Sequence, residues 1–185
     1  MNRLRGTTAY LSGPVEAHQN PDGWRNKLSG QLDRMGIISY NPLIKPNWMP
    51  DVTGPEQAGW KKSFSPDNNE LIYKNSIIRQ FCLRMTYACD FMILKLEKSI
   101  FTVGTYEELA AATVCGKPVL VICDDPIPSM WLIDQIDAYR CLNEHFFKTE
   151  DDLVNYLYDI NCGEKRPHDP MKWLFLTFKS EDSEE

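Results

Sequence analysis

The sequence predicts an α/β protein in which five parallel strands form a doubly wound sheet. Short apolar runs alternate with longer stretches of helical periodicity from Thr8 to Ile160. The runs from Asp90 to Leu96 and from Val119 to Cys123 are apolar almost throughout, as a parallel strand covered on both faces must be. Turn signals at Gly13-Pro14, Gly36 and Gly116-Lys117-Pro118 separate the two kinds of segment.

The elements follow in order. Thr8 to Ser12 reads as a buried first strand, and Gly13-Pro14 ends it. From Trp24 to Met35 the residues Trp24, Leu28, Leu32 and Met35 recur at steps of three or four, which is one helical face, and Gly36 closes the helix as a left-handed cap. Ile37 to Tyr40 is the second strand. Between Asn41 and Asp67 the chain carries five prolines, Trp48, Trp60 and little periodicity, so it reads as a long irregular segment. Ser65 with Pro66 resembles a helix start, and the apolar pattern Leu71, Ile72, Ile78, Phe81, Met85 carries that helix to about Ala88.

The third strand, Asp90 to Leu96, feeds a helix from about Thr105 to Val114 and then the fourth strand. A weaker helix near Ser129 to Ile136, a short strand near Tyr139 to Leu142 and a helix from Thr149 to Ile160 complete five β-α units in a flavodoxin-like order, 2-1-3-4-5. At 185 residues this is one domain over residues 1–163, with an insert at about 42–66. Residues 164–185 form a tail whose run Trp173 to Phe178 is a docking segment and whose end is acidic.

Composition narrows the partners. A net charge of -6 opposes an electrostatic grip on a nucleic acid polymer and suits a small molecule better. The apolar run at residues 173–178 is far short of the ~20 residues that span a bilayer, so no membrane partner is expected. The start Met1-Asn2-Arg3-Leu4-Arg5 shows no apolar signal segment, which makes the cytoplasm the expected compartment. The six cysteines lack CxxC pairs and read as reduced core thiols. His18, His145 and His168 have no helical HxxxH spacing and read as surface histidines, so neither a metal nor another cofactor is expected.

In an open sheet of this order, ligands bind where the strand order reverses, between the carboxyl ends of strands one and three. The loops there are Ser12 to Asp22 and Lys98 to Gly104, so Gly13, Pro14 and Gly104 face each other across the crevice. Thr105-Tyr106-Glu107-Glu108 fits a capping box, which needs no ligand. The same spacing also sets the Glu108 carboxylate at the rim, where it can serve as nucleophile, base or hydroxyl acceptor. Arg25 at a helix start either holds an anionic group or forms an exposed ion pair, and Trp24 is core or pocket wall. Asp90 reads as structural.

Taken together, Ala9-Tyr10-Leu11-Ser12-Gly13-Pro14, Gly23-Trp24-Arg25, Cys89-Asp90-Phe91-Met92-Ile93-Leu94 and Gly104-Thr105-Tyr106-Glu107-Glu108 before Gly116-Lys117-Pro118-Val119 resemble the nucleoside 2-deoxyribosyltransferase family. The match runs from about Thr8 to Cys123. It implies a flavodoxin-like fold and a glutamate, here Glu108, that attacks the anomeric carbon of a nucleoside or nucleoside monophosphate and forms a covalent glycosyl enzyme. A second base takes the glycosyl group in the transferases, and water takes it in related N-hydrolases. Tyr10 matches a strand-one tyrosine that orients the carboxylate. Ser12, Gly13, Pro14, Trp24, Arg25, Gly104 and Thr105 are the expected substrate contacts, and a homo-oligomer is the expected assembly.

Two positions depart from that pattern. Cys82 stands where members carry an aspartate eight residues before the acid that opens strand three, and Thr102 stands where transferases carry an aspartate before the loop glycine. Protonation of the departing base then falls to Glu107, to the insert or to a neighbouring subunit. Alternatives are a phosphoribohydrolase resembling cytokinin-activating enzymes, although Phe101-Thr102-Val103 replaces their Pro-Gly-Gly, or a non-catalytic nucleotide-binding or sequestering protein. An interaction protein that uses Trp48, Trp60 and the apolar tail as contact surfaces is the third.

Overall fold

The computed structural model describes residues 2–15, 20–50, 52, 54–60, 62–63, 65, 68–98, 100, 102–124 and 129–176, without the side chains of residues 54, 55 and 58. Five strands form an all-parallel sheet: β1 (Thr8–Ser12), β2 (Ile38–Tyr40), β3 (Phe91–Leu96), β4 (Val119–Cys123) and β5 (Phe146–Phe147). Their order is β2-β1-β3-β4-β5, the flavodoxin-like arrangement. The helices are α1 (Pro21–Arg34), α2 (Gly54–Trp60), α3 (Asn69–Ala88), α4 (Val103–Val114), α5 (Met130–Gln135) and α6 (Glu150–Cys162).

The period of two along each strand sorts its side chains to opposite faces of the sheet. Ala9, Leu11, Phe91, Ile93, Leu120 and Ile122 pack with Leu28 and Leu32 of α1 and Leu153 and Leu157 of α6. Tyr10, Met92, Leu94 and Val121 pack the other way, with Cys82 and Met85 of α3, Leu109 and Ala112 of α4, and Leu132 of α5. That parity decides what α4 can meet on β1, because only Thr8, Tyr10 and Ser12 point toward it.

Several boundaries differ from the sequence expectation, each for a local reason. Helix α1 begins at Pro21, three residues before Trp24, because the Asn20 side chain accepts from Gly23 N at 2.9 Å and Pro21 occupies the first helical position. The insert is not wholly irregular, since α2 forms within it with Glu56 in its first turn. Helix α3 starts at Asn69 rather than at Ser65-Pro66, with Asn68 as the cap accepting from Leu71 N at 3.3 Å. Pro66 and Asp67 lie outside the described residues, as do His18, Thr177, Phe178 and the acidic end.

The fifth strand is Phe146–Phe147 and not Tyr139 to Leu142. Asp137 adopts a left-handed φ of 58°, which turns the chain into two 3-10 segments, Ala138–Arg140 and Leu142–Glu144, over the span read as strand. The apolar pair after them reaches Val121 and Ile122 in register. Cysteines 82, 89, 115, 123, 141 and 162 are all free, but only Cys89 and Cys123 are buried; Cys115, one residue past the end of α4, is exposed. His145 is buried rather than on the surface, with Nδ1 at 3.0 Å from Val119 O, and burial holds its pKa below the ordinary value. His168 is exposed.

Phe91, fully buried at the start of β3, is covered by Trp173 at 5.6 Å and Phe175 at 6.3 Å between ring centroids. The described part of the tail therefore docks on the α1 and α6 face. Removing a buried indole costs about 3–5 kcal/mol, so Trp173→Ala should lower Tm by roughly 10 °C in a calorimetric or fluorescence melt. A change within about a degree would contradict the docking role.

Candidate functional site

The carboxylate of Glu108 is held by two hydroxyls of the first strand. Tyr10 Oη donates to Oε1 at 2.8 Å and Ser12 Oγ donates to Oε2 at 2.5 Å, one to each oxygen. Both donors come from one strand because residues two apart share a face, and both are fully buried. The clamp sits at the carboxyl ends of β1 and β3, at the point where the strand order reverses.

The capping box read from Thr105 and Glu108 does not form. Helix α4 starts two residues earlier than expected, at Val103, with Thr102 as an extended cap that makes no side-chain bond. Thr105 is thus the third residue of the helix, buried, and Glu108 lies a full turn in, too far along to reach back to the cap. A capping box does form at α6, where Thr149 and Asp152 bond reciprocally. Glu108 was consequently left to face β1.

Arg25 corrects a second expectation, because it is neither an exposed ion pair nor an open anion site. It is fully buried and its fork donates to three carbonyls: Nε to Leu11 O at 3.1 Å, Nη1 to Pro21 O at 2.7 Å and Nη2 to Gly13 O at 2.8 Å. The reason lies in the sheet. Carbonyls of β1 alternate sides, Thr7 O accepting from Ile38 N and Thr8 O from Asp90 N, so Leu11 O faces the β2 side. β2 stops at Tyr40, opposite Tyr10, and leaves Leu11 O past the end of the ladder. Arg25 supplies the missing donor and then fastens the turn at Gly13. Its guanidinium lies 4.5 Å from the Trp24 ring centroid. Burial lowers its pKa to about 10, so it stays cationic at neutral pH and acts on Glu108 through space.

The remaining expected residues fall around this clamp. Gly13 and Pro14 are buried beside it. At Gly13 an added Cβ would lie 3.0 Å from the Trp24 ring and 3.2 Å from Lys95 O, tighter than ordinary contact, so glycine lets the loop pack closely on the helix. Trp24 is buried and forms part of the α1 face of the core. Gly104 is exposed in the first turn of α4, with nothing near a Cβ, so close packing does not demand glycine there. Asp90 has the structural role read from the sequence, accepting from Thr8 N at 2.7 Å and Thr8 Oγ1 at 3.0 Å. Glu107 is turned away and paired in a fork with Arg79 of α3.

Cys82 completes the wall. It packs from α3 against the Tyr10 side of the core, within electrostatic reach of both Tyr10 and Glu108. Burial pushes that thiol up to about 12, helped by the neighbouring carboxylate. Tyr10 is likewise held well above its ordinary value, by burial and then by Glu108, so it remains a donor. Glu108 itself is raised from 4.5, because desolvation outweighs the hydroxyl bonds and Arg25. The bond from Ser12 was legible only in hindsight, as a hydroxyl two residues from Tyr10. The Arg25 fork carried no sequence signal beyond a basic residue near a helix start.

These features define a class: a flavodoxin-like α/β protein with a hydroxyl-clamped carboxylate at the switch-point crevice. Among solved structures, the chain is similar to the 2-deoxyribosyltransferase of the psychrotolerant bacterium Bacillus psychrosaccharolyticus, with TM-score 0.57 and 18% identity over 81% of this chain and 92% of that one. It is also similar to a conserved protein from Enterococcus faecalis V583, with TM-score 0.53 and 16% identity over 83% of this chain and 98% of that one. At these identities the likeness shows the fold. No family model matches the sequence. No curated protein matches it either.

Two stability measurements check the electrostatics. Arg25→Met leaves three carbonyls without their donor and should cost about 3 kcal/mol in a denaturant melt, against under about 1 kcal/mol if the fork is incidental. For Glu108 the folded pKa lies above the unfolded one, so its favourable contribution is full below pH 4.5 and is lost as pH rises through the folded value. Glu108→Gln should therefore gain Tm relative to wild type between pH 4.5 and neutrality. A Tm difference independent of pH would contradict the raised pKa.

Proposed function

We propose that this protein cleaves or transfers the N-glycosidic bond of a nucleoside or nucleoside monophosphate, with Glu108 as the nucleophile. The observation that carries this reading is the double clamp on the carboxylate, Tyr10 on one oxygen and Ser12 on the other. Two fixed hydroxyls set the orientation of the oxygens while burial keeps the group poorly solvated, and a poorly solvated carboxylate is a stronger nucleophile than one in water. In this role Glu108 bonds to the anomeric carbon as the glycosidic carbon–nitrogen pair returns to the base. Water or a second base then displaces the carboxylate.

In this reading Gly13 and Pro14 bring backbone close to the substrate, Gly104 and Thr105 border it from α4, and Trp24 and Arg25 hold the first loop in shape. The resemblance of the sequence motifs and the likeness to a 2-deoxyribosyltransferase structure both support it. The reading also extends to a cytoplasmic homo-oligomer without a cofactor. Cys82, a thiol at the wall of the site, favours a second reading, a nucleotide-binding protein without turnover.

Incubation with ribo- and deoxyribonucleosides and their monophosphates, followed by chromatography of free bases, separates the two. Release of a base is expected, with kcat/KM lowered roughly 10³-fold or more in Glu108→Ala. Binding without release supports the sequestering protein, and an Ala variant as fast as wild type ends the nucleophile assignment. Because the Tyr10 bond lowers the pKa of Glu108, Tyr10→Phe should move the acid limb of kcat/KM to higher pH. An unmoved limb would show that Tyr10 does not set the ionisation.

A further inference from the structure

We propose that Cys82 makes this crevice selective for N-glycosides of a cationic base, such as a ring-alkylated purine or a pyridinium, over those of a neutral base. The inference rests on the N-glycoside reading above and names its substrate class. When Glu108 bonds to the anomeric carbon, the electron pair of the breaking carbon–nitrogen bond goes to the base. A neutral base then departs as an anion unless a proton reaches it. A cationic base departs neutral and needs no proton. Enzymes that cleave a glycosidic bond through a carboxylate nucleophile commonly supply that proton from a second carboxylic acid about 5 Å away.

The groups around Glu108 are of a different kind. Tyr10 and Ser12 from β1 hydrogen-bond to it, while Arg25 from α1 and Cys82 from α3 act on it electrostatically. A serine hydroxyl and a guanidinium committed to three carbonyls are poor proton donors. The Cys82 thiol at about 12 and the Tyr10 phenol above its ordinary value are too weakly acidic to serve near neutrality. The next carboxylate on α4, Glu107, is held in the Arg79 fork on the outer side. The thiol thus stands beside the clamp as a neutral group, and among the described residues Glu108 is the carboxylate that the Tyr10 and Ser12 hydroxyls hold. In the second half of the reaction water bonds to the anomeric carbon, Glu108 leaves with its bonding pair, and the water proton passes to solvent.

The test compares 7-methylguanosine with guanosine, each with and without a 5′-phosphate, on wild type and on Cys82→Asp, with buffer blanks subtracted. Wild type should favour the methylated substrate in kcat/KM by about 10³-fold or more. Cys82→Asp should shrink that preference at least about tenfold by quickening the neutral substrate, since a positioned acid contributes on the order of 10²-fold or more. Cys82→Ala, which leaves the position neutral, should keep the preference. Equal rates on both substrates, or a preference untouched by Cys82→Asp in a folded variant, would overturn the inference and leave the N-glycoside reading standing. Release from neither substrate by any form, alongside no release from the wider panel, removes that reading and this inference with it.

Discussion

The burial of one carboxylate against one strand organises the rest of this molecule. Glu108 is desolvated, and a desolvated carboxylate persists only where donors replace its water. Tyr10 and Ser12 do so from β1, which requires that β1 lie inside the sheet beside β3, that its even-numbered residues face α4, and that α4 begin early enough to put Glu108 beside them. The first two conditions are met by the parallel order in which β1 and β3 are neighbours and the connections leave on opposite faces, and the third by the start of α4 at Val103. The fold and the clamp are in this sense one arrangement.

The other side of the crevice is built on a different shortage. β2 ends two residues before β1 does, so Leu11 O lacks a ladder partner, and the Arg25 fork takes it together with Gly13 O in the turn that follows. One side chain thereby ends the strand, shapes the turn at Gly13 and places a positive charge within electrostatic reach of Glu108. A lysine has the charge but not the planar fork, so arginine is what the geometry demands. The Trp24 ring beneath the guanidinium keeps that charge out of water at modest cost.

Much of this was legible in the sequence, and the failures have physical causes. The five-stranded order and four of the strands followed from apolar runs and turn signals, since buried parallel strands such as Val119–Cys123 announce themselves. The fifth strand was misplaced because two residues carry too little pattern, and a left-handed Asp137 before them has no sequence mark. Glu108 was picked out by position, but the capping box was a false companion: local spacing matched it, and tertiary contact with Tyr10 and Ser12 decided otherwise. Arg25 was noticed for the wrong reason, because a buried fork on carbonyls depends on where β2 stops, a property of the sheet rather than of the local sequence.

In the proposed reaction an oxygen of the clamped Glu108 carboxylate bonds to the sugar. The most direct measurement is intact-protein and peptide mass spectrometry after acid quench of the protein mixed with a 2-fluoro-2-deoxy nucleoside, in which the electron-withdrawing fluorine slows loss of the glycosyl group from the enzyme. A mass increase equal to one glycosyl unit, mapped to the peptide that contains Glu108 and lost in Glu108→Gln, is the predicted result. Base release with no adduct, or an adduct on any other residue, would contradict it.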